Sequence, residues 1–393
     1  MTISYAGNFG ALLLRWRGSL WRAVWKELSI FLLLYFIIRL IYYYGLGSEE
    51  QLVFEKLSLM FNHYTQFIPL TFLLGFYVAS VVARWWQQFQ YVAWPDDLLS
   101  MICFAMPGGD ERARLKRHQI ARYLCLTCAL AWRDISVKVR QRFPSLEQVV
   151  SGGLMTRSEK ELYDAAPGDH VRWALPLAWL QAFIRQELDE GKPRSKIPPP
   201  LAGALVKELA SYRNTFRMLY CYDWVCIPLV YTQVTAVATY GYFAFCLLGR
   251  QSLDTAKGYK NNELDIVFPI FTTLQFLFYI GWFKVGQELM RPFGLDDDDI
   301  ELNYILNRHV KACFAMVGSV GGQLPELSQD RFWQQKNVNI GHTYLSAQQH
   351  EHPPKLHAKV TMRSEKEAEF LEEAQPLSDR RSKQIAKKQL REF

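Results

Sequence analysis

Four consecutive aspartates at positions 296–299 are the side chains of this sequence best suited to chemistry. They follow a turn-like Pro-Phe-Gly (292–294) at the end of an apolar stretch of membrane-spanning length. Adjacent carboxylates repel one another and need a counter-charge, and Ca²⁺ favours several carboxylate and carbonyl oxygens. One or two of the aspartates could instead cap a helix beginning near Ile300, because negative charge suits the positive helix end. Capping does not need four, so the run predicts a cation site as well.

A second candidate is the apolar series Ile68, Phe72 and Phe76, whose members are four residues apart. This spacing stacks bulky side chains along one helix face, which in the simpler interpretation is ordinary packing against lipid or core. Pro69 and Gly75 interrupt the same stretch. Proline can break a membrane helix and leave a helix start whose N–H groups attract anions. A symmetric ring of such helices would form a narrow, apolar, anion-preferring constriction.

Other motifs point away from catalysis and nucleic acid. Cys125 and Cys128 form a C-x-x-C pattern without a second pair, inside an apolar run, so we interpret them as a buried helix face rather than a zinc or redox site. The sequence has no P-loop, dinucleotide fingerprint, nucleophile–base pairing or catalytic metal motif. Its Lys and Arg residues cluster beside apolar stretches, which suits membrane orientation. We expect a protein that is neither an enzyme nor a nucleic-acid binder.

Apolar segments of membrane length must position the candidate groups. Half of the 393 residues are hydrophobic and 15% are aromatic, yet the mean hydropathy is only −0.07, which indicates apolar segments beside a large polar remainder. A helix needs about 20 mostly apolar residues to cross a bilayer. Four segments qualify, and the last three contain a proline: residues 28–46, 57–82, 224–248 and 266–285.

Charges flanking these segments predict their orientation, because cytoplasmic loops carry an excess of Lys and Arg. Basic residues precede the first segment, whereas Glu49, Glu50 and Glu55 follow it. Arginines follow the second segment, and Lys284 and Arg291 mark the end of the fourth. Four crossings with both termini in the cytoplasm satisfy this pattern, and the aspartates then face the cytosol. We expect an integral membrane protein located in the plasma membrane.

The fold class predicted is an all-α membrane protein with four transmembrane helices per subunit and a large helical cytosolic region. Helical periodicity covers residues 110–142, 158–165, 176–189 and 200–220, and another helix is expected from 296 to about 317. Six segments result: a cytosolic arm (1–27), transmembrane helices 1 and 2 with the constriction (28–83), a helical cytosolic domain (84–221), transmembrane helices 3 and 4 (222–290), the acidic segment with its following helix (291–327), and a largely disordered basic tail (328–393).

Several long blocks resemble one family. They are IPLTFLLGFYVASVVARWW (68–86), WPDDLL (94–99), QRFPSLEQVVSGGLMT (141–156), YDWVCIPLVYTQVTAVATYGYF (222–243) and RPFGLDDDDIELNYI (291–305). From residue 16 to residue 327 the chain resembles a bestrophin, in one order and without large gaps. The resemblance implies a Ca²⁺-activated channel for chloride and other small anions, bicarbonate among them. It also implies a homopentamer around one central pore in membrane lipid, and mixing with related subunits stays open.

The resemblance also implies roles for individual residues of the pore. The family's pore neck consists of three apolar residues of the second span, which fall here on Ile68, Phe72 and Phe76. A second constriction at the cytosolic end of the pore would fall near Pro200 or Leu201. Both positions are therefore expected to face the central axis of the pentamer.

The Ca²⁺ clasp implied by the resemblance uses the side chains of Asp296 and Asp299 and the main-chain carbonyls of Glu288 and Arg291. One further main-chain ligand comes from the N-terminal arm of an adjacent subunit, and the two middle aspartates are left for capping and solvent. Glu288 and Arg291 stand where the family usually has uncharged amides. Glu288 could strengthen the site, and Arg291 could compete for the aspartates.

The N-terminal arm is the larger departure from the family pattern, because it is several residues shorter before Trp16. A missing main-chain ligand around residues 5–10 would weaken Ca²⁺ binding unless the arm supplies it differently. The shortened arm motivates a second hypothesis, in which the protein is a non-conducting Ca²⁺-sensing membrane scaffold or regulatory subunit. In that hypothesis a broken clasp leaves the channel closed.

Overall fold

The computed structural model describes residues 9–106, 108–189, 197–259, 267–319 and 326–334. All regular secondary structure in these ranges is helical, as predicted. A π-helical turn (Ile41–Gly45) follows α2, and 3-10 turns span Asp169–Ala174 and Thr255–Lys257. The α-helices are α1 (Phe9–Leu13), α2 (Leu20–Leu40), α3 (Ser48–Thr65), α4 (Leu70–Gln90), α5 (Pro95–Ala105), α6 (Glu111–Ile135), α7 (Val137–Arg142), α8 (Leu146–Ser151), α9 (Arg157–Ala165), α10 (Leu175–Asp189), α11 (Pro199–Trp224), α12 (Leu229–Gly249), α13 (Ile270–Glu288) and α14 (Leu302–Ser319).

Four apolar helices, α2, α4, α12 and α13, pack around one hydrophobic core. Val24 of α2, Tyr77 of α4 and Phe283 of α13 are completely buried in it. Helix α3 lies along the outside of α12, where Gly249 permits close approach. A Cβ at Gly249 would lie only 2.7 Å from the backbone nitrogen of Asn62 in α3. The two backbones are therefore in direct contact, which no larger residue would allow without separating the helices.

The prolines of the predicted membrane segments lie before helices rather than within them. Pro69, Pro228 and Pro269 immediately precede the first residues of α4, α12 and α13. Proline lacks the N–H that a helix interior needs, and its ring clashes there, so a helix start accommodates it best. The predicted segment 57–82 is consequently two helices, α3 and α4, which confirms that Pro69 interrupts the helix and leaves a helix start. The prolines predicted inside the third and fourth segments precede α12 and α13 instead.

The number of membrane crossings stays a prediction. Judged by length and apolar composition, no helix among the described residues qualifies as a span by itself. One pair qualifies jointly, Ser48–Thr65 with Leu70–Ala105, bent by 45° at the break. The six predicted segment boundaries likewise stay predictions.

A second, larger core is formed by α5, α6, α7, α10, α11 and α14 in the predicted cytosolic region. Helix α6 runs through it and is buried on nearly all sides from Ile120 to Trp132. Cys125 and Cys128 are completely buried there, and the Cys128 sulfur lies 3.1 Å from the Tyr212 hydroxyl. Their interpretation as a buried helix face is confirmed.

The cytosolic helices agree with the sequence patterns except at two places. The predicted helix 110–142 is two helices, because the chain breaks at Ser136 between α6 and α7. The helix predicted from residue 296 begins at Leu302. Residues 326–334 belong to a second unit with a turn at 331–334. The rest of the predicted tail lies outside the described residues.

Candidate functional site

The acidic loop, residues 289–301, lies between α13, which ends at Glu288, and α14, which begins at Leu302. Main-chain hydrogen bonds fold the loop. The Gly294 N–H donates to the Arg291 carbonyl at 3.4 Å, and the Ile300 N–H donates to the Pro292 carbonyl at 2.7 Å. The loop is thus closed on itself before α14 begins, and the four aspartates lie on a compact turn.

Asp296 and Asp299 are linked within this turn. The Asp296 N–H donates to Oδ2 of Asp299 at 2.6 Å, and the Asp299 N–H donates to the Asp296 carbonyl at 3.3 Å. Asp299 is only 3% exposed, whereas Asp296 is exposed. A short acidic side chain that bonds to nearby backbone competes with helix formation. The prediction of a helix from residue 296 is therefore wrong, because Asp299 bonds backwards into the turn.

Negative charge is crowded in the acidic loop. Burial raises the pKa of the Asp299 carboxyl to about 6, although the hydrogen bond from the Asp296 N–H opposes the rise. Burial also raises the pKa of Asp298, with a further contribution from the Asp297 carboxylate and an opposing one from Arg15. Carboxyl groups with raised pKa values are short of hydration or positive partners. A hard cation with oxygen ligands would supply the missing charge, so this donor set fits Ca²⁺.

Asp297 has a role that the sequence patterns did not predict. Its Oδ1 accepts a hydrogen bond from Nε of Arg17 at 3.3 Å, and its Oδ2 forms an ion pair with Arg22. The expected capping or solvent role is therefore wrong for Asp297, because the two arginines occupy its carboxylate. The segment before α2 is thereby tied to the acidic loop.

A cavity of about 510 Å³ lies between the start of α2, the end of α13 and the acidic loop. Glu288 and Asp296 line it, whereas Asp299 is buried in the turn behind and Arg291 is exposed. No ion pair links Arg291 to the aspartates in the described part of the chain. Among the described residues, no three His, Cys, Asp or Glu side chains are grouped as a metal site. The predicted Ca²⁺ ligands differ from such a group, because they combine two carboxylates with main-chain carbonyls.

Two of the three predicted neck residues share a helix face. The rings of Phe72 and Phe76 lie 4.6 Å apart between centroids, and the two side chains are 64% and 59% exposed. Ile68 lies two residues before the start of α4 and is half-buried against the core of the apolar helices. The expected stripe of three residues on one helix is therefore wrong for Ile68, because Pro69 places the helix start after it.

The two residues predicted for the second constriction lie at the start of α11. Pro200 and Leu201 are in the first turn of α11, where Pro200 is exposed and Leu201 is half-buried against the larger core. Pro is common in the first turn of helices because its missing N–H has no partner there. Whether these residues face a pore stays a prediction.

A contact between α4 and α13 connects the two candidate regions, and sequence reasoning missed it. Tyr77 follows Phe76 in α4, and a Cβ at Gly286 of α13 would lie 2.6 Å from its ring. The same ring lies 5.8 Å from that of Phe283. In the sequence, Gly286 is the feature that could have indicated this contact, since glycine inside an apolar helix often marks close packing.

Comparisons with known proteins agree with this architecture. A family model described as "Bestrophin, RFP-TM, chloride channel" matches residues 1–319. Bestrophin homolog 13 of Caenorhabditis elegans is 48% identical over 390 residues, covering 92% of this chain and 93% of the relative. Human Bestrophin-1 is 42% identical over 356 residues, which cover 88% of this chain and 60% of the relative.

The solved structures add a match at the level of fold. A crystal structure of a bacterial bestrophin homolog from Klebsiella pneumoniae aligns with a TM-score of 0.57 at 16% identity. The alignment covers 75% of this chain and 98% of the bacterial one. Because the family model covers most of the chain and several relatives exceed 40% identity, the resemblance seen in the sequence is confirmed. The chain is a membrane protein of the bestrophin family.

Proposed function

We propose that the protein is a Ca²⁺-activated anion channel that carries chloride and other small anions as a homopentamer in the plasma membrane. The observation that carries the proposal is the contact of α13 with α4. The acidic loop follows the last turn of α13, and Gly286 in that helix touches Tyr77, the neighbour of Phe76. A cation held by the loop is therefore mechanically connected to the predicted neck.

In this proposal Ca²⁺ is bound by the carboxylates of Asp296 and Asp299 and by the main-chain carbonyls of Glu288 and Arg291. The ion supplies the positive charge that the crowded carboxylates lack. Support comes from the raised pKa of Asp299 and from the cavity that Glu288 and Asp296 share. The Asp296 N–H keeps Asp299 in place by its hydrogen bond to Oδ2, so one of the carboxylates is already oriented.

Movement of the acidic loop would reach the neck through α13. Tyr77 and Phe283 are completely buried, their ring centroids lie 5.8 Å apart, and a Cβ at Gly286 would lie 2.6 Å from the Tyr77 ring. Because packed interiors are dense, a shift of α13 displaces Tyr77 rather than being absorbed by a void. Phe72 and Phe76 lie on the exposed face of the same helix, where a ring of subunits would form an apolar constriction that opens or dewets with small movements.

The preference for anions follows from two helix starts in this proposal. Ile68 and Pro69 immediately precede α4, and Pro200 and Leu201 lie in the first turn of α11. The start of a helix carries partial positive charge from its unpaired N–H groups, which attracts anions. Both predicted constrictions would therefore be lined partly by positive helix ends without a fixed cation that could trap chloride.

Paired carboxylate variants test the clasp. We expect Asp299→Asn to raise the Ca²⁺ concentration for half-maximal anion flux at least tenfold, because it removes a direct ligand. Asp297→Asn removes the same charge from the same loop but releases Arg17 and Arg22 instead, so its effect should be smaller. The measurement is chloride efflux from vesicles containing the purified protein. Equal responses of the two variants would contradict the ligand assignment.

A second candidate function is a non-conducting Ca²⁺-sensing scaffold or regulatory subunit. The ion pairs of Asp297 with Arg17 and Arg22 favour it, because protein cations already occupy one of the four carboxylates. Residues 5–8 of the arm lie outside the described residues. Chloride efflux from vesicles that contain only this protein would exclude the scaffold.

A further inference from the structure

Two of the seven cysteines are exposed, and both lie where the chain passes from α11 to α12. Cys221 is in the last turn of α11, and Cys226 is in the linker of residues 225–228 that precedes α12. The remaining cysteines are buried. Because a thiol reacts only where a reagent can reach it, the two exposed ones are the candidates for modification in the folded chain.

The linker between α11 and α12 is held in place by Arg84 of α4. The Arg84 guanidinium donates one hydrogen bond to the Val225 carbonyl at 2.7 Å and another to the Tyr222 carbonyl in the last turn of α11. The Cys226 sulfur lies 4.0 Å from the Asp223 carbonyl, which is a weak contact for a thiol. The backbone of the linker is therefore fixed, while the Cys226 thiol stays on the surface.

The exposed surface around Cys226 is apolar. Trp224 and Val225 before it are each 67% exposed, and Leu229 and Val230 after it are 69% and 67% exposed. This surface coincides with the predicted cytosolic start of the third membrane segment, and tryptophan is enriched where a membrane helix meets water. Cys226 is therefore expected at the cytosolic surface of the bilayer, with lipid around its apolar neighbours.

We propose that Cys226 is an S-acylation site that carries a long-chain fatty acyl group. The Cys226 thiolate attacks the carbonyl carbon of a long-chain acyl-CoA, and a new carbon–sulfur bond forms as the bond to the CoA sulfur breaks. CoA leaves as a thiol and takes up the proton that Cys226 lost, so one thioester replaces another and no oxidant is needed. Cysteines beside a membrane segment are typical acceptors of reversible palmitoylation.

The proposal rests on the membrane location of the protein and on the predicted cytosolic side of this linker, and not on channel activity. A failure to find chloride flux would therefore leave it standing.

Cys221 provides the comparison within the same chain. It lies inside the regular helix α11 and shares a helix face with the exposed Arg217, four residues earlier. The backbone next to Cys226 is instead extended, with φ −104° and ψ 95° at Val225. An acyl chain on Cys226 enters the bilayer directly beside its apolar neighbours, whereas one on Cys221 would start beside a charged side chain. We therefore assign the acyl group to Cys226.

Acyl exchange on the full-length protein, expressed in animal cells, tests this site. Free thiols are blocked with N-ethylmaleimide, thioesters are cleaved with neutral hydroxylamine, and each released thiol receives a maleimide polymer that slows the protein on a gel. We expect a hydroxylamine-dependent slow band from the wild-type protein. Cys226→Ser should lose this band completely, and the matched control Cys221→Ser should keep it.

Two further measurements locate the modification without a variant. Mass spectrometry of the wild-type peptide that contains Cys226 should show the acyl group on this residue. After hydroxylamine treatment, the assembled protein in detergent should react with maleimide at Cys226. Absence of a hydroxylamine-dependent band in the wild-type protein, or its persistence in Cys226→Ser, would overturn the proposal. A slow band that appears with dithiothreitol and without hydroxylamine would overturn it as well, because it would assign Cys226 to a disulfide.

Discussion

Replacing Glu159 by glutamine should destabilise the cytosolic region strongly. Glu159 lies in the first turn of α9, and both its oxygens accept hydrogen bonds of 2.6 Å from the Arg122 guanidinium of α6. It also accepts a hydrogen bond of 2.8 Å from the Thr156 N–H and so helps to cap α9. Glu159 is only 8% exposed, so water does not replace these partners. The glutamine side chain has one oxygen and one NH₂ group, so it can accept only part of the hydrogen bonds that the two carboxylate oxygens of Glu159 accept.

The size of the expected destabilisation follows from the pKa of Glu159. Burial pushes that pKa upwards, but the hydrogen bonds from Arg122 and the Thr156 N–H outweigh burial and lower it from 4.5 to about 2. A difference of this size between the folded and unfolded states corresponds to about 3 kcal/mol of stability for the ionised form. In a region of this size we expect a decrease of about 6–12 °C in the apparent unfolding temperature.

The pH dependence has a defined sign. The pKa of Glu159 is lower in the folded state than in the unfolded state. Ionised Glu159 therefore contributes its full stabilisation above pH 4.5, and this stabilisation is lost as the pH falls from 4.5 towards 2. Thermal unfolding of the purified protein, followed by circular dichroism, measures both effects. The control is Glu161→Gln, which changes an exposed carboxylate of the same helix. If both variants unfolded at the same temperature, or if the deficit of Glu159→Gln persisted near pH 2, the reasoning would be refuted.

Three further outcomes are expected. Gly249→Ala should lower the apparent unfolding temperature by the equivalent of about 1–3 kcal/mol, because its Cβ meets the backbone of α3, whereas Gly241→Ala on the same helix has free space and should not. Phe72→Ala or Phe76→Ala should raise anion leak at zero Ca²⁺ in patch recordings, and unchanged leak would count against the neck. Burial lowers the pKa of His309 from 6.5 to about 4, so stability should fall as the pH falls through that window, and thermal unfolding of His309→Gln should lack this slope.

The helical architecture could be predicted from sequence wherever periodicity extends over several turns. The pattern over residues 176–189 matches α10 within one residue, and that over 200–220 lies inside α11. Pro69 correctly indicates a break followed by a helix start. The apolar pattern continues on both sides of it, however, and does not reveal that α3 already ends at Thr65.

The acidic loop shows what sequence patterns leave out. The pile-up of four carboxylates indicated a charged site, and the structure does place them on one compact turn. The backward bond from the Asp296 N–H to Asp299 was not predictable, because it depends on the turn closing before the helix. The pairing of Asp297 with Arg17 and Arg22 joins residues 280 and 275 positions apart. From sequence, the basic residues before the first apolar segment indicate membrane orientation alone.

The central claim is that Ca²⁺ bound at the acidic loop opens an anion path through this protein. Chloride efflux from vesicles that contain only the purified protein tests it directly, with Ca²⁺ either buffered to zero or supplied on the side of the acidic loop. We predict efflux that requires Ca²⁺ and that selects chloride over potassium. Absence of chloride efflux at saturating Ca²⁺, in vesicles shown to contain the assembled protein, would contradict the account.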